Sequence, residues 1–461
     1  MNTIILLSSL GGFAMLAEIF KLRKLVYPVV LIGLLGAVGV TIMDWNAKPL
    51  SAIFNNMIVF DHYAVMFSIV MISTLVLWML LAKKNLDDSV TVSDNVSLVV
   101  FSLAGAVLMV CYANLTMLFL GIEILSIPVY ILAGSNKTNL SSNESALKYF
   151  LMGAFATGFL LFGIAMVYGA TVSFDLIKIS EVVFSGASNS KVLLSTGIIF
   201  MLIGMVFKIS AVPFHFWTPD VYQGAPTYIT AFMSTIVKTA AIAAFFRLFA
   251  VCFVTETGVW SNIIWGIAAL TLIFGNVTAV YQNSVKRMLA YSSISHAGYM
   301  LLGLLALAES SQGSILFYTT AYSVGSIAAF CILLFVSEAN GNDSFDSFNG
   351  LGKSNPILAL VMTVAMLSLA GIPPMAGFFA KYYIFSSAIS AGNIGIVIIA
   401  VVGSLISVYY YFRVIISMYF REAKEDSTII ELSFAHQILL VIATALIIAL
   451  GIFPDLIISR I

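Results

Sequence analysis

Five ionisable side chains stand in stretches that are otherwise apolar, and they are the residues best suited to chemistry. The carboxylate is Glu123, and the amines are Lys148, Lys208, Lys238 and Lys381. A charge at the centre of a membrane helix costs about 2.5–3.5 kcal/mol on insertion scales, so such groups are seldom kept without a role. Groups that are costly to charge and that pair transiently are suited to passing protons. The pattern indicates a proton relay; the rival interpretation is a set of lysines that only hold helices together.

Two of these lysines lie close to prolines. Lys208 stands in GMVFKISAVPFHFWTPD, with Pro213 five residues later, and Lys381 stands in LAGIPPMAGFFAKYYIF, after Pro373–Pro374. Proline removes a backbone donor and interrupts a helix. Broken backbone at membrane depth is tolerated where protein or a wet cavity satisfies it, and in transporters such breaks carry ion sites. Both lysines are therefore predicted to lie at broken helices.

The other members of the predicted relay follow from charge and position. Glu123, in LFLGIEILSIPVY, has Lys148 and Lys208 as candidate partners, and Lys238 is placed to accept a proton from Lys208 through water. His215 and His296 are secondary candidates, because histidine titrates near neutral pH but more often serves as a hydrogen-bonding residue near a span end.

Three further observations limit the function. Arg247 and Arg413 lie toward span ends, where long side chains reach the headgroups, so we expect no relay role for them. The three cysteines lie in apolar runs without metal-ligand spacing, and no glycine-rich phosphate loop follows a strand. We therefore expect no cofactor and no metal in this chain. A formal net charge of zero gives no reason to expect a nucleic-acid partner.

The elements that must position these residues are membrane helices. Hydrophobic residues make up 61% of the 461 residues and charged residues 9%, too few charges for a solvated surface, so the lipid bilayer must be the main solvent. About fourteen apolar runs are long enough to cross a bilayer. They lie near 3–20, 25–43, 62–82, 96–112, 114–133, 144–169, 192–214, 228–252, 260–281, 286–307, 312–338, 355–386, 393–419 and 431–453.

The predicted fold is an all-α integral membrane domain spanning residues 1–461. It consists of N-terminal helices (about 1–95), a first antiporter-like repeat (96–255), a second repeat (256–425) and a C-terminal helix (426–461). Each repeat has five helices, one of them broken by proline. The two lysine-bearing broken helices are the seventh and the twelfth spans, and this odd offset of five makes the two copies inverted.

Lysine and arginine in the loops predict the orientation. With fourteen spans and the N-terminus outside, the inside loops hold the larger share of basic residues, among them Lys83, Lys84 and Lys424. Lys48 and Arg460 belong to the smaller outside set. Both termini are therefore predicted to face away from the cytoplasm.

Three stretches resemble a known family. KISAVPFHFWTPDVYQGAP, FLGIEILSIPVYIL and KRMLAYSSISHAGY resemble the seventh, fifth and tenth helices of the antiporter-like subunits of complex I (NADH:quinone oxidoreductase), which are related to the Mrp antiporters. The subunit N branch is the most similar. One departure is local: Tyr228 and Ile229 follow Thr227 where the family often reads GAPTPVTAF, and this should alter backbone rather than charge.

The resemblance assigns family positions to the ionisable residues. Glu123 matches the fifth-helix glutamate, Lys148 the sixth-helix lysine, Lys208 the seventh-helix lysine and Lys238 the eighth-helix lysine. Lys381 matches the twelfth-helix residue, which is a glutamate in the subunit M branch. The resemblance implies that Glu123 acts as a switch on Lys208 and that the proton passes to Lys238 and then to Lys381.

The resemblance also implies a setting. NADH oxidation and quinone reduction would occur in partner subunits, with this chain as a proton-translocating part of the enzyme that carries no redox centre. Its partners would be antiporter-like neighbours and small membrane subunits, in a bacterial inner membrane with periplasmic termini. The alternatives are a Mrp-type cation/proton antiporter subunit, the corresponding subunit of a membrane-bound hydrogenase, and a structural scaffold.

Overall fold

The computed structural model describes residues 1–45, 57–87, 91–307, 309–422 and 430–458. Lys48, Lys424 and Arg460, which entered the predicted orientation, lie outside these ranges. Within them every regular element is helical, and β-structure is limited to three isolated bridges. The all-α prediction is confirmed.

The helices alternate between long spans and short connecting elements. In chain order they are α1 Asn2–Ala17, α2 Arg23–Asp44, α3 His62–Asp87, α4 Val92–Cys111, α5 Leu115–Ala133, α6 Leu140–Thr171, α7 Leu176–Phe184, α8 Lys191–Lys208, α9 Trp217–Gly224, α10 Thr227–Phe232, α11 Lys238–Cys252, α12 Thr257–Val280, α13 Val285–Ala306, α14 Glu309–Asn340, α15 Leu351–Ser354, α16 Pro356–Ala370, α17 Ala376–Ser390, α18 Ile394–Phe420, α19 Phe434–Ile452 and α20 Asp455–Ile458.

The number of spans agrees with the prediction. In the described part of the chain, twelve helical stretches are long and apolar enough to cross a membrane, and α1 and α16 are shorter apolar helices. One of the twelve runs without a break through α10, a π-helical turn at Met233–Val237 and α11. The chain therefore has the predicted antiporter-like membrane architecture of about fourteen spans.

One connecting element is absent from the predicted spans. The stretch after α6 lies between two predicted spans, 144–169 and 192–214, and α7 occupies part of it. Asp175 caps this helix by accepting hydrogen bonds from the backbone N–H groups of Ile177 and Lys178, at 3.0 and 3.1 Å. Leu176, Ile179 and Val183 form its buried face. At nine residues α7 is too short to span a bilayer, so a search for apolar spans misses it.

Contacts divide the described chain into two compact units. The first comprises Met1–Val76, Lys84–Ser210 and Ile236–Gly266. The second comprises Leu77–Lys83, Ala211–Thr235 and Ile267–Ile461. Neither boundary set coincides with the predicted repeats, which stay a prediction.

Close helix crossings hold the first unit together. A Cβ built on Gly163 of α6 would lie 2.8 Å from the carbonyl oxygen of Gly197 on α8, and one built on Gly197 would lie 3.0 Å from that of Gly163. Small residues let membrane helices approach until their backbones touch, which gives van der Waals contact where lipid offers no hydrophobic drive. This crossing fixes α8, the helix that ends at Lys208.

A local arrangement recurs in the two units. Asn114 caps α5 and forms an isolated β-bridge with Asp175, a residue that follows the next long helix, α6. In the second unit Ser284 caps α13 and pairs with Ser344, again after the next long helix. Each unit therefore contains a capped helix whose cap residue pairs with a residue after the next long helix.

Candidate functional site

One face of α5 carries the groups that meet Lys208. Glu123, Ser126 and Tyr130 are spaced i, i+3 and i+7, so they share one side of the helix. The start of α5 is fixed by Asn114, whose side chain accepts a hydrogen bond from the N–H of Thr116 at 2.9 Å. A capped and packed helix holds these three side chains in register.

Lys208 is the last residue of α8, and its side chain is only 6% exposed. Its Nζ donates a hydrogen bond to the hydroxyl of Ser126, which in turn donates to the carbonyl oxygen of Ile122. The rings of Tyr130 and Tyr149 lie 5.8 and 6.0 Å from Nζ, within the range of a cation–π contact. Protein therefore surrounds this amine.

Glu123 lies close enough to Lys208 for an electrostatic interaction. The carboxylate interacts electrostatically with the lysine and with Tyr130, while no ion pair within 4 Å joins Glu123 to any residue that the structure describes. The side chain is half-buried. Lys208 is therefore hydrogen-bonded to the neutral hydroxyl of Ser126, with the Glu123 carboxylate nearby. A shorter distance between the lysine and the carboxylate would strengthen their interaction.

A small cavity lies against Lys208, with a volume of about 10 Å³. It is lined by Tyr130 and by a face of α6 that includes Gly153 and Thr157. This is close to the space that one water molecule occupies, and the amine and the threonine supply polar groups. Glycine is required here, because a Cβ at Gly153 would lie 2.1 Å from the Tyr130 hydroxyl oxygen.

Lys238 is buried in the first unit. It is the first residue of α11, directly after the π-helical turn Met233–Val237, and is 2% exposed. Single π-helical turns inside α-helices are frequent at functional sites. Helix α11 packs on α4, α7 and α8, so the lysine faces protein rather than lipid.

Lys148 has a different environment. Its Nζ lies 2.6 Å from a carboxylate oxygen of Glu144, one turn earlier on α6, and the two side chains are 40% and 63% exposed. Lys148 thus forms an ion pair with Glu144, and its partnership with the candidate Glu123 stays a prediction. The adjacent residue, Tyr149, is the one that faces Lys208.

Lys381 is the buried lysine of the second unit, at 5% exposure. Its Nζ donates hydrogen bonds to the carbonyl oxygen of Ala370 at 2.7 Å and to the hydroxyl of Ser404 at 2.9 Å. The ring of Tyr299 lies 5.0 Å away. Ala370 ends α16, and the negative end of a helix dipole favours a cation. Gly371, at φ +83°, brings the backbone against the lysine side chain.

Both lysines lie at interrupted helices, as predicted, but on opposite sides of the interruption. Lys208 is the last residue before the break that separates α8 from α9. Lys381 lies beyond the break between α16 and α17, in the second turn of α17. The positions of the prolines explain this difference. Pro213 follows Lys208, whereas Pro373–Pro374 precede Lys381.

His296 lies in a buried hydroxyl network of the second unit. Its Nδ1 is 2.6 Å from the hydroxyl of Tyr318, and its Nε2 is 3.1 Å from that of Tyr411. The Tyr411 hydroxyl oxygen also lies 2.5 Å from the hydroxyl oxygen of Ser292, which stands one turn before His296 on α13. Tyr318, His296, Tyr411 and Ser292 thus form a chain of hydrogen-bonding groups, a hydroxyl file, in which each member can both donate and accept. Such a chain is able to pass a proton.

His215 lies in the break after α8. The residue is half-buried, and its ring stands 4.5 Å from that of Phe216. It belongs to the second unit, whereas Glu123, Lys208 and Lys238 belong to the first. Its predicted secondary role stays a prediction.

Both arginines were expected to reach headgroups, and both have partners within the protein. Arg247 is 8% exposed and pairs with Asp61 at 2.5 Å, with the ring of Tyr63 5.1 Å away, so the prediction was wrong for this residue. Arg413 is half-buried and donates to the carbonyl oxygen of Gln282 at 2.8 Å. A carboxylate thus pairs with one guanidinium group, and a backbone carbonyl near a helix end accepts from the other.

The hydroxyl partners were missed by sequence reasoning. Ser126 stands three residues after Glu123, so the helical repeat offered a signal that it shares the face of the carboxylate. Ser404 and Tyr411 lie in the long apolar helix α18, where serine and tyrosine are unremarkable, and no sequence signal marked them.

Comparisons with known proteins identify the family of this chain. The family model described as "NADH:quinone oxidoreductase/Mrp antiporter, TM" matches residues 113–407. NADH-quinone oxidoreductase subunit N of Cytophaga hutchinsonii is 45% identical over 461 residues, covering 100% of this chain and 99% of that protein. The chain belongs to the subunit N branch of the NADH:quinone oxidoreductase/Mrp antiporter family. The resemblance seen in the three motifs is confirmed.

Other proteins are similar over nearly all of their length. Subunit N of Trichlorobacter lovleyi is 41% identical, with 99% of this chain and 94% of that protein covered. A chain of respiratory complex I from Thermus thermophilus is 33% identical with a TM-score of 0.84, covering 99% of this chain and 98% of that one. A chain of an archaeal membrane-bound sulfane sulfur reductase is 25% identical with a TM-score of 0.90, covering 99% and 95%.

The family match includes the candidate site. Every predicted relay residue, from Glu123 to Lys381, and both secondary histidines fall within the matched residues 113–407. The site therefore lies in the part of the chain that defines the family.

Proposed function

We propose that this chain is a proton-translocating subunit of the membrane arm of an NADH:quinone oxidoreductase (complex I). The observation that carries the proposal is Lys208, an amine enclosed by protein at the end of a broken membrane helix, with Glu123 in electrostatic range. Full-length similarity to proteins named subunit N supports the setting. Redox chemistry in partner subunits would drive the movement of protons through this one.

The proposed step is a proton transfer from the lysine nitrogen. As Glu123 approaches Lys208, the carboxylate stabilises the ammonium; as it withdraws, the proton passes through water to Lys238 and onward to Lys381. Moving one charge against 100 mV costs about 2.3 kcal/mol. Two unit charges 4 Å apart interact by about 4 kcal/mol at an effective dielectric constant of about 20. At this dielectric constant, an increase in their separation from 4 Å to about 9 Å would offset the cost of moving the charge.

The setting extends beyond this chain. NADH oxidation and quinone reduction are assigned to other subunits, and we expect no cofactor here. The partners are the antiporter-like and small membrane subunits of the membrane arm, in a bacterial inner membrane, with both termini on the periplasmic side. The relay role of Lys148 rests on its family position alone. Its exposed ion pair with Glu144 suits a contact with a lipid headgroup or another subunit equally well.

A cation/proton antiporter subunit of the Mrp type is the second candidate. A chain of the Mrp complex from Dietzia sp. has a TM-score of 0.83 at 19% identity, which supports a common fold alone. The two candidates differ in dependence on sodium: an antiporter subunit requires a counter-cation, whereas the proposed relay moves protons in sodium-free buffer.

The experiment is proton uptake by vesicles that contain the whole complex. Glu123→Ala and Lys381→Ala are compared with wild type, and Lys178→Ala on the exposed side of α7 is the matched control. We expect both site variants to assemble and to lower proton uptake per NADH oxidised, while the control stays at the wild-type ratio. Wild-type coupling in both site variants would exclude the relay. Loss of assembly without loss of coupling would favour a structural scaffold.

A further inference from the structure

Serine hydroxyls are the side-chain hydrogen-bond partners of two buried lysines. Lys208 donates to Ser126 in the first unit, and Lys381 donates to Ser404 in the second. Neither lysine has an ion pair within 4 Å in the residues that the structure describes. Two separate helix environments thus place a neutral hydroxyl where an ion-pair partner is usual for a buried amine.

Ser126 lies where it can take part in the chemistry of Lys208. It lies one turn after Glu123 on the same face of α5, between the carboxylate and the ring of Tyr130. Its hydroxyl accepts from Lys208 and donates to the carbonyl oxygen of Ile122. The lysine nitrogen therefore has two alternative acceptors on one helix face: a hydroxyl that it contacts and a carboxylate that it does not.

A hydroxyl and a carboxylate differ in what they offer a lysine that gains and loses a proton. An ionised carboxylate only accepts, so it holds the ammonium but has nothing to donate to a neutral amine. A hydroxyl accepts from the ammonium and, by rotating away from the Ile122 carbonyl, donates to the lone pair of the neutral amine. The neutral amine still donates its N–H groups to either acceptor, but only the hydroxyl also serves its lone pair, and a buried acceptor without a donor is costly.

We infer that Ser126 is a positioning residue that holds the Lys208 nitrogen in place through both halves of its protonation cycle. The inference rests on the proposed function, since it assigns Ser126 a task within that relay. The bond from Ser126 to Ile122 also permits a plain alternative, in which the serine only satisfies a carbonyl of its own helix. The test must therefore separate an effect through Lys208 from an effect on helix stability.

The experiment uses vesicles with the whole complex and measures proton uptake per NADH oxidised. The variants are Ser126→Ala, which removes the hydroxyl, and Ser126→Thr, which keeps one. The matched control is Ser102→Ala: Ser102 is buried on α4, and its hydroxyl donates to the carbonyl oxygen of Leu125 on α5 at 2.9 Å without contacting the lysine. Lys208→Met and the double variant with Ser126→Ala complete a cycle.

We expect Ser126→Ala to lose more than half of the coupling that Lys208→Met loses, with normal assembly. Ser126→Thr should recover most of it, and Ser102→Ala should stay at the wild-type ratio. In the Lys208→Met background, Ser126→Ala should have no further effect, since its action passes through the lysine.

Two results would overturn the inference and leave the proposed function intact: wild-type coupling in Ser126→Ala while Lys208→Met is uncoupled, or equal losses in Ser126→Ala and Ser102→Ala. Wild-type coupling in Lys208→Met would instead refute the proposed function itself. If Ser126→Ala fails to assemble, Ser126→Cys keeps the volume with a weaker hydrogen-bonding group. A partial loss of coupling in that variant supports the inference, and wild-type coupling contradicts it.

Discussion

Replacing Gly371 by alanine should displace Lys381 and uncouple the complex. Gly371 ends α16 at φ +83°, a left-handed conformation that costs a residue with a Cβ about 1–2 kcal/mol. A Cβ built there would lie 2.8 Å from Cδ of Lys381 and 3.2 Å from its Nζ. Because the lysine is enclosed, it yields to the new methyl group only by moving its ammonium away from Ala370 and Ser404.

The chain offers a control with the same backbone strain and no clash. Gly392 follows α17 at φ +81°, and a Cβ there would meet open space. Both substitutions should therefore lower the free energy of unfolding by about 1–2 kcal/mol from backbone strain. Gly371→Ala should lower it by a further 1.5–3 kcal/mol, roughly the value of one hydrogen bond from a charged group.

The assay pairs denaturant unfolding of the purified complex with proton uptake in vesicles. We expect Gly392→Ala to be mildly destabilised and fully coupled, and Gly371→Ala to be more destabilised and poorly coupled. If the two variants pump alike, the position of the Lys381 ammonium does not matter to translocation, and the reasoning is wrong.

Two further predictions concern groups outside the lysines. Asp61→Asn should lower the free energy of unfolding by about 1–2 kcal/mol, because it leaves the buried Arg247 without its carboxylate partner. Glu144→Gln removes one partner of an exposed i, i+4 ion pair and should lower the free energy of unfolding by about 0.5 kcal/mol or less. A denaturant series that ranks the two the other way would contradict this account of the ion pairs. Tyr411→Phe should slow proton uptake by removing the hydroxyl next to His296 Nε2, while Tyr409→Phe, 61% exposed on the same helix, should not. Equal rates in these two variants would remove the hydroxyl file from the pathway.

The membrane spans could be predicted because their physical requirement is simple. About 20 apolar residues are needed to cross the hydrocarbon core, and runs of that length are visible in the sequence. Helix α7 and the π-helical turn before Lys238 were not predicted. The first is too short to read as a span, and the second depends on how α10 and α11 fit against their neighbours.

The candidate site was predictable to the extent that charge is costly in a membrane. Lys208, Lys238 and Lys381 stood out for that reason, and each is buried in the structure. Lys148 stood out equally, but its exposed partner, one turn away, makes it the least constrained of the four. Neutral partners such as Ser126 carry no comparable cost, so their roles emerge only from the contacts.

The central claim is that the Lys208 amine carries the proton that this chain moves. Its most direct test is the number of protons taken up per NADH oxidised by vesicles with Lys208→Met complex, set against Lys178→Met as the exposed control. We predict normal assembly and a lower ratio in Lys208→Met, with the control at the wild-type value. An assembled Lys208→Met complex that pumps at the wild-type ratio would contradict it.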